Sequence, residues 1–280
     1  MRIGINTFLF TSPFTTQSTR LFKPIKRWGF ETVEIPIEQP NHIDPRVVKS
    51  RLEDTGLTCG SVCACMSAER DLRGTARQQQ IALKYMTQLM DQAKALDCST
   101  VIGPIYSATG RAEAVPRREY QQQWKLVARH LRTLAREAQD RGQRICLEPL
   151  NRFETDFINT CEQALNMIEE VDNPALKLML DTFHMNIEEK NQAAAILRAG
   201  KRLAHLHACG CDRGTPGNDH IDWRAIGQAL RAINFQGDVV IEGFGSHVKL
   251  IARAAAIWRQ VEPRQEDIAV KGLKFLQRVL

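Results

Sequence analysis

No apolar run in the chain approaches the ~20 residues that a membrane-spanning helix requires, and its 43% hydrophobic content is broken up by charge throughout. A spanning helix is excluded. The start, Met1-Arg2-Ile3-Gly4-Ile5-Asn6, lacks the charged and long apolar regions of a secretory leader and reads as a first strand, so a cytoplasmic location is expected. Asn6 to Thr16 contains no glycine, so the Gly-rich phosphate cradle that opens a doubly wound nucleotide-binding sheet is missing. Walker-type loops, nucleophile elbows, internal repeats and low-complexity segments are also absent, and no nucleotide cofactor is expected. The net charge of +6 is spread along amphipathic segments with Glu and Asp interleaved. Without a basic block, nucleic acid is not an expected partner. The pairs Cys63/Cys65 and Cys209/Cys211 lack the wider spacer usual for zinc sites. The eight cysteines mostly fall within apolar runs and read as buried reduced thiols, with Cys65 and Cys209 as candidates to line a pocket.

What is present is an alternation of strand-like and helical patterns from end to end. Candidate strands are Ile3 to Asn6, Thr32 to Ile35, Thr58 to Cys65, Thr100 to Gly103, Ile145 to Glu148, Lys177 to Asp181, Leu203 to His207 and Val239 to Glu242. Between two of them, Tyr120, Trp124, Val127, Leu131, Leu134 and Ala138 recur at three- and four-residue steps, which predicts an amphipathic helix from Arg117 to Arg141 with Gly142 as its stop. Asp44-Pro45 opens a helix that Gly56 closes, and Asn159 or Thr160 opens another that runs through Ile168 to Asn173-Pro174. Eight such alternations predict a (β/α)8 TIM barrel, and a length near ~250 residues suits one barrel, hence a single domain over 1–280.

Four strands in the second half each end on a group able to bind a divalent metal: Glu148, Asp181, His207 and Glu242. Buried strand-end acids can also cap helices or pair with bases. Four similar placements on successive strands favour one shared ion instead, because unpaired buried carboxylates are costly. One imidazole and three carboxylates form a mostly oxygen set, suited to Mn²⁺, Mg²⁺ or Co²⁺. The loops beyond are polar as well, which makes Glu154 and His184 candidates for a second role and lets Arg213 reach a substrate oxygen. The plainer readings are that Arg152 and Glu154 pair at the surface and that Arg213 is a solvated loop residue. His205, alternating with His207, is expected to point toward the helical layer.

The runs Leu147-Glu148-Pro149-Leu150-Asn151-Arg152-Phe153-Glu154, Leu180-Asp181-Thr182-Phe183-His184-Met185-Asn186-Ile187-Glu188-Glu189 and Asp212-Arg213-Gly214-Thr215-Pro216-Gly217 strongly resemble the ketose 3-epimerases, which include D-tagatose and D-psicose 3-epimerases and belong to the xylose-isomerase-like barrels. The resemblance implies that Glu148, Asp181, His207 and Glu242 hold one Mn²⁺ or related ion. It also implies that Glu154, His184 and Arg213 bind the C1 to C3 oxygens of a sugar, and that the chain assembles as a dimer or tetramer. Inverting a carbon beside a ketone needs a base on one face and an acid on the other, and Glu148 and Glu242 would fill those roles through a cis-enediolate. Phe8 and Phe244, near strand ends, could pack on the carbon face of the sugar, and Cys65 softens the mouth of the third strand.

The chain departs from that family where Ile105-Tyr106-Ser107-Ala108-Thr109-Gly110 lacks the Trp that many members place after the fourth strand. A competing reading is therefore a related metal-dependent lyase, dehydratase or isomerase acting on a keto-inositol or 3-keto-glycoside. A sugar-binding relative and a DNA-repair endonuclease on the same barrel are weaker alternatives, since binding alone needs no acids on both faces and repair sites use more histidines.

Overall fold

The computed structural model describes Met1–Leu280. Eight parallel strands close on themselves in sequence order: β1 (Arg2–Asn6), β2 (Thr32–Ile37), β3 (Thr58–Ala64), β4 (Thr100–Gly103), β5 (Arg144–Leu147), β6 (Leu176–Asp181), β7 (Leu203–Ala208) and β8 (Asp238–Ile241). The ring is completed where Ile5 of β1 pairs with Ile241 of β8. Every predicted strand is found, with ends shifted by at most two residues and β4 not shifted at all. Glu148 and Glu242 thus lie just past their strands rather than at the last position.

Local chemistry explains the helical layer. Asp44 accepts from Arg46 N at 3.0 Å and precedes Pro45, and Gly56 takes φ +65° to end the helix Pro45–Thr55. Thr160 is the residue that caps Cys161–Val171, in a reciprocal box with Gln163. The helix Arg117–Asp140 buries Val127, Leu131, Leu134 and Ala138 against the barrel, each contributing about 1–3 kcal/mol by removal from water.

Because side chains alternate along a strand, every second residue enters the barrel. Cys63, Ile102, Cys146, Met179 and Ala204, the last at a register shift of β7 against β6 that breaks the alternation there, form a small apolar cluster separate from the large core between strands and helices. The interior also holds polar groups, with Asn6, Glu34, Ser61, His205 and His207 all buried. At the end of β4, Gly103 takes φ +128° within reach of Ala64, and its carbonyl accepts from Glu148 N at 3.1 Å. A bend open only to glycine thus helps place Glu148. No helix is long and apolar enough to cross a membrane.

Candidate metal and sugar site

The four predicted ligands meet at the carboxyl ends of β5 to β8. Asp181 divides its carboxylate: Oδ1 accepts from Phe183 N at 2.7 Å and caps the helix Thr182–Glu188, while Oδ2 faces the cluster. His207 Nδ1 lies 3.8 Å from Asp181 Oδ2 and 3.3 Å from Glu242 Oε2. One donor atom each from Glu148, Asp181 and His207 falls within 4.8 Å of the others, as do those of Asp181, Cys209 and Glu242. These are candidate metal-binding residues, and the donor set fits a divalent cation. Three buried carboxyl groups face a single guanidinium, and His207 Nδ1 is buried against them without a hydrogen-bond partner.

Electrostatics separate the acids. Burial pushes the Glu148 carboxyl well above its usual range, aided by the charges of Glu242 and Asp181 and opposed by His207 and Arg213. Burial acts the same way on Asp181, but Arg213, His207 and His184 outweigh it and hold that carboxyl well below its usual range.

Arg213 is buried, which overturns its reading as a solvated loop residue. Its Nη1 donates to Asp181 Oδ2 at 2.6 Å and to Glu242 Oε2 at 2.7 Å, and the guanidinium stacks on Phe183 and Phe244. Its φ of +67° is a strained value for a residue with a side chain. The surface pair of Arg152 with Glu154 does not form. Arg152 bonds Glu188, whereas Glu154 Oε1 accepts from Asn151 Nδ2 at 2.9 Å.

His184 is buried beside the acids, 3.9 Å from Glu148 Oε1. Its Nδ1 accepts from both Asn151 N, at 3.0 Å, and Asn151 Nδ2, at 2.9 Å. Burial first, and the charge of Arg213 second, push its pKa down to about 3, so the ring is neutral and its proton sits on Nε2. Together with Glu148 and Glu242, the residues Phe8, Cys65, Glu154, His184, Arg213 and Phe244 border one cavity of about 320 Å³. Asp181 and His207 lie behind that surface.

The sequence reading places His205 in the helical layer, and the structure corrects this. Residues two apart on a strand share a face, so His205 enters the barrel with His207, and its Nε2 lies 2.9 Å from Glu34 Oε2. Glu34 itself is absent from the predicted site. Its Oε1 receives Asn6 Nδ2 at 2.8 Å and His207 Nε2 at 2.7 Å, and Ser61 Oγ donates to Oε2. Asn6 Nδ2 also reaches Glu242 Oε1 at 3.1 Å. A fully buried glutamate in an otherwise apolar strand was the available signal.

The xylose isomerase-like TIM barrel family profile matches residues 22–279. A probable ketose 3-epimerase of Synechocystis sp. is 35% identical over 286 residues, covering 99% of this chain and 96% of its own. A D-psicose 3-epimerase of Enterocloster bolteae is 30% identical, with 100% and 96% covered. Among solved structures, a D-allulose 3-epimerase from Methylomonas sp. in complex with D-allulose superposes with a TM-score of 0.94 at 28% identity, covering 100% of this chain and 97% of that one.

Proposed function

This chain belongs to the xylose isomerase-like TIM barrel family and, within it, to the ketose 3-epimerases; it is a carbohydrate isomerase, and we propose that it inverts C3 of a free ketose by proton removal and return through a cis-enediolate. The observation that carries this reading is that Glu148 and Glu242, from non-adjacent strands, border the same cavity on either side of the candidate metal ligands in the strand order.

One carboxylate takes the C3 proton, the C–H electron pair moves toward the C2 carbonyl, and the other carboxyl returns a proton to the opposite face of C3. Which glutamate is the base depends on which epimer is bound. Burial shifts the Glu148 carboxyl upward, the direction that strengthens it as a base. Glu148, Asp181, His207 and Glu242 would hold one divalent ion, Mn²⁺ first with Mg²⁺ or Co²⁺ as alternatives, which when bound supplies Lewis-acid stabilisation of the negative charge developing on the ketose oxygens.

His184 presents Nε2–H to a sugar oxygen. His184 Nε2 lies 3.1 Å from Arg213 Nη2, in this tautomer donor against donor, a contact that an intervening sugar oxygen relieves by accepting from both. Glu154 accepts from a substrate hydroxyl, and Phe8, Phe244 and Cys65 lie along the carbon face. The protein would act as a single-domain cytoplasmic enzyme, assembled as a homodimer or homotetramer.

The test is solvent deuterium incorporation at C3. Glu148→Gln and Glu242→Gln should each abolish it, and full exchange in both variants would overturn the proposal. The lyase or dehydratase reading rests on the loop after β4. That loop has no Trp, and its Tyr106 is turned inward, with its hydroxyl on Ile158 O at 3.0 Å. Inertness toward both D-fructose and D-tagatose, scored by chromatography, would favour that reading.

A further inference from the structure

Of the eight cysteines, Cys209 is the one whose sulfur groups with the acids of the site. Its Sγ lies 3.5 Å from Asp181 Oδ2 and 3.9 Å from Glu242 Oε2. Its main chain is fixed on both sides by one hydroxyl: Cys209 N donates to Thr182 Oγ1 at 2.8 Å, and Thr182 Oγ1 donates to the Cys209 carbonyl at 2.7 Å. The direction of the thiol is therefore set by a bonded backbone at the end of β7.

A cationic atom already shows what converges here. Arg213 Nη1 sits 2.6 Å from Asp181 Oδ2, 2.7 Å from Glu242 Oε2 and 3.1 Å from Cys209 Sγ. Two oxygens and one sulfur thus surround one positive centre. Independently, the buried and unpartnered His207 Nδ1 is turned toward the same two carboxylates. Metal–sulfur and metal–oxygen bonds of about 2.3 and 2.1 Å would place sulfur and oxygen roughly 3.1–3.6 Å apart around an ion. The observed separations are at, or a few tenths beyond, that range.

We propose that Cys209 is a soft fifth donor of this site, through which thiophilic divalent cations such as Cd²⁺ and Zn²⁺, and more weakly Co²⁺, compete with the oxygen-preferring Mg²⁺ and Mn²⁺. In the step, the S–H bond breaks, the proton passes to buffer, and a sulfur electron pair forms the metal–sulfur bond with no change of oxidation state. The inference rests on the reading of Glu148, Asp181, His207 and Glu242 as ligands. It adds that the centre discriminates among ions by softness as well as by charge.

The experiment titrates the chelator-stripped full chain with Cd²⁺, Co²⁺ or Mg²⁺ alone, read by ultraviolet absorbance and calorimetry, in parallel with Cys209→Ser and Cys209→Ala. The wild type should develop a sulfur-to-metal charge-transfer band with one equivalent of Cd²⁺ or Co²⁺. Both variants should lose the band and bind Cd²⁺ roughly tenfold more weakly or worse, with Mg²⁺ affinity held within about threefold. Saturable Cd²⁺ binding by the wild type without the band, or a band that persists in both variants, overturns the role of Cys209 while the metal site stands. Absence of saturable binding of every ion overturns the ligand reading and this proposal together.

Discussion

Glu34 accepts a hydrogen bond from His207 Nε2 at 2.7 Å, which leaves Nδ1 as the ring nitrogen that faces Asp181 and Glu242. The same carboxylate reaches Glu242 through Asn6, so one buried group orients two candidate ligands. A carboxylate behind a ligating imidazole fixes its orientation and raises its basicity, typically worth 10–100-fold in metal affinity. Glu34→Gln keeps an acceptor but loses the charge, and Mn²⁺ affinity measured by calorimetry should fall roughly tenfold. Glu34→Ala loses both and should fall roughly a hundredfold. Equal affinity across the three proteins would remove Glu34 from this role.

The state of His184 depends on Asn151, which supplies both donors to Nδ1. Asn151→Asp places an acceptor where the side-chain donor stood, set against the backbone N–H that still donates to Nδ1, and so weakens the hold on the tautomer that carries its proton on Nε2. KM for the ketose should rise roughly tenfold, the equivalent of one hydrogen bond, with less change in kcat. Asn151→Ala should do less, because it removes one donor to Nδ1 without adding an acceptor there. An unchanged KM in Asn151→Asp would show that the tautomer of His184 does not matter to binding.

The parts of this molecule that were legible in the sequence are those with a short period or a short motif. Strand ends carrying Glu148, Asp181, His207 and Glu242 are local patterns, and the structure brings all four together. The role of Glu34 was not legible beyond a glutamate standing in an apolar run, because its four polar neighbours come from β1, β3 and β7, and only barrel closure joins them. His205 was misplaced by an error of period rather than by missing information. The burial of Arg213 depends on Phe183 and Phe244, one from the helix Thr182–Glu188 after β6 and one from the segment after β8, so no window around Arg213 could reveal it.

A second long-range group holds the loops around the cavity. The Arg73 side chain is fully buried, donates to Gln123 Oε1 at 2.8 Å and Asp156 Oδ1 at 2.6 Å, and lies over the Phe157 ring. Asp156 in turn accepts from Glu113 N and Ala114 N, which joins the segments following β3, β4 and β5. Arg73→Met strands the partner carboxylate and should cost about 3 kcal/mol in denaturant unfolding. Adding Asp156→Asn should restore part of that loss. A double variant no better than the single would mean that packing on Phe157, rather than the ion pair, carries the stability.

Glu38 gives a pH dependence of definite sign. Its carboxyl accepts from Ser12 Oγ at 2.8 Å and Phe14 N at 3.0 Å, yet burial raises its pKa above the ordinary value of 4.5 despite both bonds. A raised carboxyl binds more protons in the folded than in the unfolded chain. Its contribution to stability is therefore fully present below the unfolded value and is lost as pH rises through the folded one. Glu38→Gln mimics the protonated form: the amide oxygen can accept from Phe14 N, and the Ser12 hydroxyl can turn to accept from the amide nitrogen. The stability of the variant relative to wild type should therefore improve between about pH 4 and about pH 7, measured by urea unfolding at matched ionic strength. If the difference stays constant or shifts toward the wild type, the bonds from Ser12 and Phe14 outweigh burial, and Glu38 is a stabilising anion instead.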